Sequence, residues 1–258
     1  MTPGGTGPFA FGRLALLVAV LFPGAAAAQA SRPERVTYVI VHGAWGGGWD
    51  WRRVDSILTA RGQEVYRVTL TGLGERVHLA NPSIGLNTHI EDVVNTIRWE
   101  ELRNVVLVGH SYGGMVITGA ADRVPDRISA LIYVDAFLPD SGESASSLAG
   151  ARFEEFLRPN LKDGMVQAAW ETADRPVPKD VPHPLKTLTD PLVLSNPAAR
   201  RLAASYILTI EKGADRDDFS PFADRARARG WPVHRMEGNH VPERAAPAEL
   251  VELLLRLP

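Results

Sequence analysis

Strand-like runs alternate with helix-like stretches along most of this chain, and the alternation limits the fold more than any other feature. The run Val36-Thr-Tyr-Val-Ile-Val41 is continuous and rich in β-branched residues, as is typical of a strand buried on both faces. Further strands are predicted at residues 64–70, 104–108, 128–134, 204–210 and 233–236. Helices are predicted at residues 50–61, 115–123, 220–230 and 247–257, and behind a capping box at Thr88-His-Ile-Glu91. The sequence therefore predicts an α/β fold with a mainly parallel sheet and helices on both faces.

Composition excludes several functional classes. The 258 residues carry a formal net charge of −2 and no basic block, which argues against a nucleic-acid partner. Without cysteine, the chain can form no disulfide, thiolate zinc site or cysteine nucleophile. His78 and His89 lack the spacing of a metal-binding pair. We expect neither a metal ion nor another cofactor.

Residues 1–30 have the pattern of a secretory signal peptide. Arg13 is their only charged residue, the apolar run from Leu14 to Phe22 follows it, and small residues lead to Ala28-Gln29-Ala30. A membrane anchor, the alternative, needs about 20 apolar residues, more than this run supplies. We predict cleavage near Ser31. The mature protein, one domain over residues 31–258, is then secreted or periplasmic, without stable membrane insertion.

Residues 140–200 interrupt the alternation. They contain six prolines between residues 176 and 197 and scattered large apolar side chains. Because Phe153, Phe156, Leu157 and Trp170 need burial, we predict a folded cap inserted into the domain rather than a linker. The same four side chains are candidates for the walls of a binding pocket.

Gly109-His-Ser-Tyr-Gly113 fits the pattern G-x-S-x-G between a predicted strand and a predicted helix. In this setting the turn is tight, small residues flank the serine, and its hydroxyl stands clear at the carboxyl end of the sheet. Ser111 is therefore the candidate nucleophile. The backbone N–H of Tyr112 lies at a helix N-terminus, where it can donate to a developing oxyanion.

The loop after the first strand is rich in small residues. It runs His42-Gly-Ala-Trp45 and continues with Gly46-Gly-Gly48, so a second backbone donor could approach a substrate here. A phosphate-binding loop is excluded, because neither Lys-Ser/Thr nor G-x-G-x-x-G spacing is present. We expect the His42 ring to hold the loop from beneath rather than to act as a base.

A general base must follow the nucleophile along the chain in this architecture. Only His183, His234 and His240 follow Ser111 and precede the last helix. His183 belongs to the proline-rich segment and His234 to the middle of a strand, whereas His240 follows a strand end. We therefore assign His240 as the candidate base.

Two carboxylates compete to orient that imidazole. Asp135 is the first residue after the strand at 128–134, and Asp215 lies in the loop after the strand at 204–210. Their alternative roles are a turn cap for Asp135 and a solvated acidic turn before a helix for Asp215, which has Asp217 and Asp218 beside it.

Together these segments resemble the alpha/beta hydrolase superfamily, and within it the branch of plant methyl esterases and hydroxynitrile lyases with bacterial esterase-like relatives. The pieces that carry the resemblance are Val41-His-Gly-Ala-Trp45, Leu70-Thr-Gly-Leu-Gly-Glu-Arg76, Gly109-His-Ser-Tyr-Gly-Gly114 and Gly238-Asn-His240. The resemblance implies that Ser111 is the nucleophile and His240 the base. It also implies that the backbone N–H groups of Ala44 and Tyr112 bind the oxyanion.

Two departures within that branch bear on function. Its lyases carry a lysine after the catalytic histidine, whereas Val241 follows His240 here, which favours hydrolysis. Its plant members place the triad acid near Asp215, whereas many bacterial relatives have an aspartate where Asp135 stands. We favour Asp135 and keep Asp215 as the alternative.

The expected function is hydrolysis of small to medium apolar or aromatic carboxylic esters through an acyl-enzyme. The alternatives are a lyase or C–C bond hydrolase that uses the same residues, and a ligand-binding protein without activity.

Overall fold

Six parallel strands form the central sheet of this computed structural model, which describes residue 1 and residues 35–257. The strands are β1 (Thr37–Val41), β2 (Glu64–Val68), β3 (Val105–His110), β4 (Ile128–Val134), β8 (Ala203–Ile210) and β9 (Val233–Glu237). Their order across the sheet is β2-β1-β3-β4-β8-β9. The predicted fold class is confirmed. The predicted signal peptide, residues 1–30, lies outside the described residues.

Helices cover both faces of the sheet. The long helices are α1 (Arg52–Ala60), α2 (Leu86–Trp99), α3 (Gly113–Arg123), α7 (Ser220–Ala228) and α9 (Pro247–Leu254), and the short α8 (Pro242–Ala245) precedes the last of them. Alternate residues of β1 separate the two cores. Val39 and Val41 pack with α2, α3 and α7, while Tyr38 and Ile40 pack with α1 and α9. In the described part of the chain, no helix is both long and apolar enough to cross a membrane.

The segment at residues 140–200, called the cap below, has its own small elements. They are α4 (Ala145–Ala149), α5 (Ala151–Asn160), β5 (Leu161–Lys162), β6 (Met165–Val166), β7 (His183–Pro184) and α6 (Leu185–Thr189). The three strands form an antiparallel sheet in the order β5-β6-β7.

The start of α2 differs from the prediction because of a long-range contact. The capping box at Thr88-His-Ile-Glu91 does not form, and the helix begins three residues earlier than it predicts, at Leu86, after Gly85. The Leu86 N–H donates instead to the Asp190 carboxylate of the cap, at 3.2 Å. A carboxylate that is distant in sequence thus satisfies the helix N-terminus, which the local motif was expected to satisfy.

Candidate active site

Ser111 lies on a strained turn at the end of β3. Its φ is +51°, a left-handed conformation that L-residues adopt rarely. The flanking glycines allow the turn to form, because a Cβ on Gly109 would lie 2.8 Å from the Gly113 carbonyl oxygen. A Cβ on Gly113 would lie 2.7 Å from the carbonyl oxygen of Val41 in the neighbouring strand. Close backbone packing between β1, β3 and α3 therefore requires small residues on both sides of the serine.

A continuous line of hydrogen bonds runs from this serine to a buried carboxylate. Ser111 Oγ lies 3.0 Å from His240 Nε2, and His240 Nδ1 lies 2.7 Å from Asp135 Oδ2. The three residues follow β3, β9 and β4, whose carboxyl ends meet at one edge of the parallel sheet. In this arrangement the imidazole can remove a proton from the hydroxyl while the carboxylate fixes its tautomer.

Asp135 is held tightly beneath the histidine. It is fully buried with φ +43°, and its other carboxylate oxygen accepts the Thr209 N–H at 3.0 Å. Burial raises the pKa of this carboxyl, while the hydrogen bond from His240 acts in the opposite direction. The carboxylate thus receives two donors in a place that solvent does not reach.

Asp215 lies outside this arrangement. It is exposed and forms no hydrogen bond or ion pair with the described residues. Its neighbour Asp217 accepts the N–H groups of Phe219 and Ser220, at 3.0 and 2.9 Å, at the start of α7. The acidic loop caps a helix, and only Asp135 of the two candidate acids is within hydrogen-bond distance of His240.

The two candidate oxyanion donors lie beside the serine. Ala44 and Tyr112 line the same cavity as Ser111, and within residues 35–257 neither backbone N–H donates to a protein acceptor. The His42 ring holds the loop that contains Ala44, as expected, because its Nδ1–H donates to the Gly43 carbonyl at 2.7 Å. Its Nε2 accepts the Leu70 N–H at 3.1 Å, so the ring has no free nitrogen for base catalysis.

The other late histidines have structural places. His234 lies within β9, and His183 is buried in β7 of the cap. Neither is hydrogen-bonded to Ser111, whose hydroxyl contacts His240.

Two residues that the sequence analysis did not single out support the base. His110 Nε2–H donates to the His240 carbonyl at 2.6 Å, and its other nitrogen lies 3.7 Å from the buried Glu243 carboxyl. Burial raises the pKa of Glu243 to about 8. The Phe219 ring stacks on the His240 imidazole with centroids 4.4 Å apart and planes 17° apart. The position of His110 inside the serine motif was an available clue, whereas Phe219 had no local signature.

A cavity of about 510 Å³ opens beside the serine. Its aromatic lining consists of Trp45, Phe137, Phe153, Phe156, Phe219 and Phe222, besides the buried Tyr112. Aliphatic side chains of the cap, Leu148 and Leu188, add to it. The guanidinium of Arg225, which also lines the cavity, pairs with the Glu143 carboxylate. The chamber suits a small apolar molecule.

Two of the four predicted pocket side chains lie elsewhere. Phe153 and Phe156 line the cavity, but Leu157 and Trp170 are not among its described lining residues. Leu157 is instead fully packed in the core, against which Phe153 and Phe156 also pack. Trp170 stacks behind Phe156 with 51% of its surface exposed, and its indole N–H donates to Asp180.

Comparisons with known proteins agree with this architecture. A model of the alpha/beta hydrolase family matches residues 38–253. The chain is 37% identical over 243 residues to a carbendazim hydrolyzing esterase from Nocardioides sp. (strain SG-4G), covering 85% of this chain and 98% of that protein. It is 33% identical over 146 residues to methylesterase 2 of Arabidopsis thaliana, covering 52% of this chain and 51% of that protein.

Solved structures show the same fold. An extracellular alpha/beta-hydrolase from a Paenibacillus species, described as sharing homology with tobacco salicylic acid binding protein 2, superimposes with a TM-score of 0.74. It is 23% identical, and the match covers 86% of this chain and 98% of that one.

Proposed function

Because the chain belongs to the alpha/beta hydrolase family, we propose that it cleaves carboxylic esters with Ser111, His240 and Asp135 as a catalytic triad. The observation that carries the proposal is the unbroken line of contacts from Ser111 Oγ to His240 Nε2 at 3.0 Å and from His240 Nδ1 to Asp135 Oδ2 at 2.7 Å. The names of the relatives from Nocardioides and Arabidopsis, an esterase and a methylesterase, support ester cleavage.

The proposed reaction has two halves. Ser111 Oγ attacks the ester carbonyl carbon while His240 Nε2 takes the hydroxyl proton, and Asp135 stabilises the imidazolium that forms. The backbone N–H groups of Ala44 and Tyr112 donate to the oxyanion. The imidazolium protonates the departing alkoxide, leaving an acyl group on Ser111. His240 then deprotonates a water molecule, which attacks the acyl-enzyme, releases the carboxylic acid and restores the serine.

The cavity supports a neutral, flat and largely apolar substrate. Aromatic rings line most of it, and its volume of about 510 Å³ is that of a site for a small to medium molecule. Arg225, the cation among the described lining residues, already pairs with Glu143. A substrate carboxylate would therefore compete with Glu143 for this guanidinium. We propose aromatic or short apolar esters as the substrate class.

The residue after the base favours hydrolysis over a lyase reaction. Val241 stands where a cyanide-binding lysine is expected in a lyase of this branch, and its N–H donates to the Asn239 side chain. The described lining of the cavity includes no lysine.

We further propose that residues 1–30 are removed and that residues 31–258 act outside the cytoplasm. The order of charged, apolar and small residues before Ser31 supports this proposal. The name of the Paenibacillus neighbour, an extracellular hydrolase, is consistent with it. N-terminal sequencing of protein from a secreting host should find a first residue at or near Ser31. An intact Met1 in a cytoplasmic fraction would contradict export.

Site variants test the catalytic proposal directly. Ser111→Ala and His240→Ala should each lower kcat for a nitrophenyl ester by about 10⁴-fold or more, because triad members act as a unit. Thermal unfolding should show that both variants remain folded. If Ser111→Ala keeps a tenth or more of the wild-type kcat, Ser111 is not the nucleophile.

A further inference from the structure

Trp45, the residue after the proposed oxyanion donor Ala44, has a strained backbone. Its φ is +64°, which a bulky L-residue adopts only when its surroundings impose it. On the other side of Ala44, Gly43 packs against the core, where an added Cβ would lie 3.1 Å from Ser111 Cβ. The direction of the Ala44 N–H therefore depends on what holds Trp45.

All three polar groups of Trp45 are bonded to the cap. Its backbone N–H donates to His183 Nδ1 at 3.1 Å, and its carbonyl accepts the Val181 N–H at 2.9 Å. Its indole N–H donates to the Val166 carbonyl at 2.9 Å, and its ring meets Phe156 edge-on. The described sheet and its flanking helices contribute no hydrogen bond to this residue. The cap therefore holds Trp45 at the strained end of the loop that contains Ala44.

A buried hydrogen-bond chain fixes the direction of the His183 contact. The Thr187 hydroxyl donates to the Pro184 carbonyl at 2.8 Å, so its oxygen accepts from His183 Nε2–H at 2.6 Å. With the proton on Nε2, His183 Nδ1 carries a lone pair that can accept only from the Trp45 N–H. His183 and Thr187 are both fully buried, so water cannot replace either partner.

We infer that the cap completes the oxyanion hole, with His183 as the positioning residue that holds Trp45 and thereby aims the Ala44 N–H. The inference rests on the proposed esterase function and deepens it. The cap then does more than enclose the substrate. It supplies the contacts that put one of the two oxyanion donors in place, so an ester can fill the apolar cavity and still react slowly when these contacts are missing.

The test is a kinetic comparison of two substitutions at one position. His183→Leu removes the acceptor for the Trp45 N–H and should lower kcat for a nitrophenyl ester by about 10- to 100-fold. The upper value corresponds to the loss of one oxyanion donor. KM should stay within about threefold of the wild-type value. His183→Asn keeps an acceptor near the position of Nδ1 and should recover most of that kcat. His234→Leu makes the same exchange at a half-buried histidine of β9 outside the site and should leave kcat unchanged.

A second readout separates positioning from general damage to the fold. A trifluoromethyl ketone of the same acyl group forms a hemiketal oxyanion on the serine, so its Ki should rise in His183→Leu by the same factor as kcat falls. The corresponding methyl ketone, a weakly reactive analogue of the substrate, should bind as it does to the wild type. If His183→Leu does not fold, Thr187→Val is measured instead, because it removes the acceptor for His183 Nε2–H. Its change in kcat and its change in Ki for the trifluoromethyl ketone are then compared in the same way.

Different results would contradict the role of His183 and the proposed esterase function. The role of His183 would be overturned if His183→Leu kept the wild-type kcat, or if it changed only KM, while Ser111→Ala remained inactive. Activity in Ser111→Ala would instead overturn the proposed function.

Discussion

Asp135 lies at the carboxyl end of β4, the strand paired with β3, which precedes Ser111. It leaves β4 without an intervening residue, and its backbone N–H donates to the Ile207 carbonyl of the neighbouring strand at 2.7 Å. The sheet thus holds the carboxylate in place. Asp215 sits in an exposed loop, where holding a carboxylate against an imidazole would cost more conformational entropy.

Substitution of the two acids should separate their roles. Asp135→Asn should lower kcat by about 10²–10⁴-fold, because the amide no longer fixes the His240 tautomer or stabilises the imidazolium. Asp215→Asn, the matched control, should change kcat by less than about tenfold, or roughly 1.4 kcal/mol of barrier. The measurement is steady-state hydrolysis of a nitrophenyl ester, and kcat values in the opposite order would reassign the acid to Asp215.

Glu243 makes stability depend on pH. Burial raises the pKa of its carboxyl to about 8, and one carboxyl oxygen has no hydrogen-bond partner among the described residues. Between the ordinary pKa and about 8, the folded protein keeps a proton that the unfolded chain has released. The contribution of this group to the free energy of unfolding therefore falls as pH rises through that window, by about 1.4 kcal/mol per pH unit.

Glu243→Gln should remove this dependence. Chemical denaturation at several pH values should show the variant gaining stability over the wild type from pH 5 to pH 8. A difference between the two proteins that stays constant across that range would show that Glu243 is ionised in the folded state.

Helix α3 and the segment after β4 pack so closely that Gly114 of α3 has no room for a side chain. A Cβ on Gly114 would lie 2.0 Å from the Phe137 carbonyl oxygen, and the Phe137 N–H donates to the Ser111 carbonyl at 3.1 Å. The helix that follows Ser111 and the segment that follows Asp135 thus fix each other.

Two glycine substitutions in α3 should therefore behave differently. Gly114→Ala should destabilise the protein by about 1–3 kcal/mol through overpacking and should also lower kcat, because the Ser111 turn must move. At Gly119 the atoms nearest to an added Cβ belong to the side chains of Ile90 and Leu192 rather than to the backbone, and side chains can shift more easily. Gain in helix propensity offsets that cost, so a smaller change is expected. Equal losses of denaturation midpoint in the two variants would contradict this account.

Local pattern predicted the elements well where a strand is buried on both faces or a helix has one apolar face. The strand at 128–134 and the serine turn between β3 and α3 are examples. The local pattern failed where residues distant in sequence determine the local structure. The start of α2, for example, depends on Asp190, which is distant in sequence. Of the pocket, Phe137 follows β4, whereas Phe219 and Phe222 lie together at the start of α7, so only the fold brings the two groups together.

At the scale of the whole domain, the site joins three parts of the described chain. The sheet supplies the strand ends that Ser111, Asp135 and His240 follow, α8 begins two residues after His240, and the cap contributes walls of the cavity. Arg244 of α8 connects these parts, since its guanidinium donates to Asp50 at 2.6 Å and to Asp180 of the cap at 2.8 Å. The sequence predicted a cap at residues 140–200, but its hydrogen bonds to Trp45 could be seen only in the structure.

Labelling with a fluorophosphonate, read out by intact mass and peptide mapping, tests whether Ser111 is a nucleophile activated by His240 and Asp135. We expect one adduct per chain, located on Ser111, with slower labelling of Asp135→Asn and His240→Ala and none of Ser111→Ala. An adduct on another residue, or equal labelling of Ser111→Ala and wild type, would show that Ser111 is not the nucleophile.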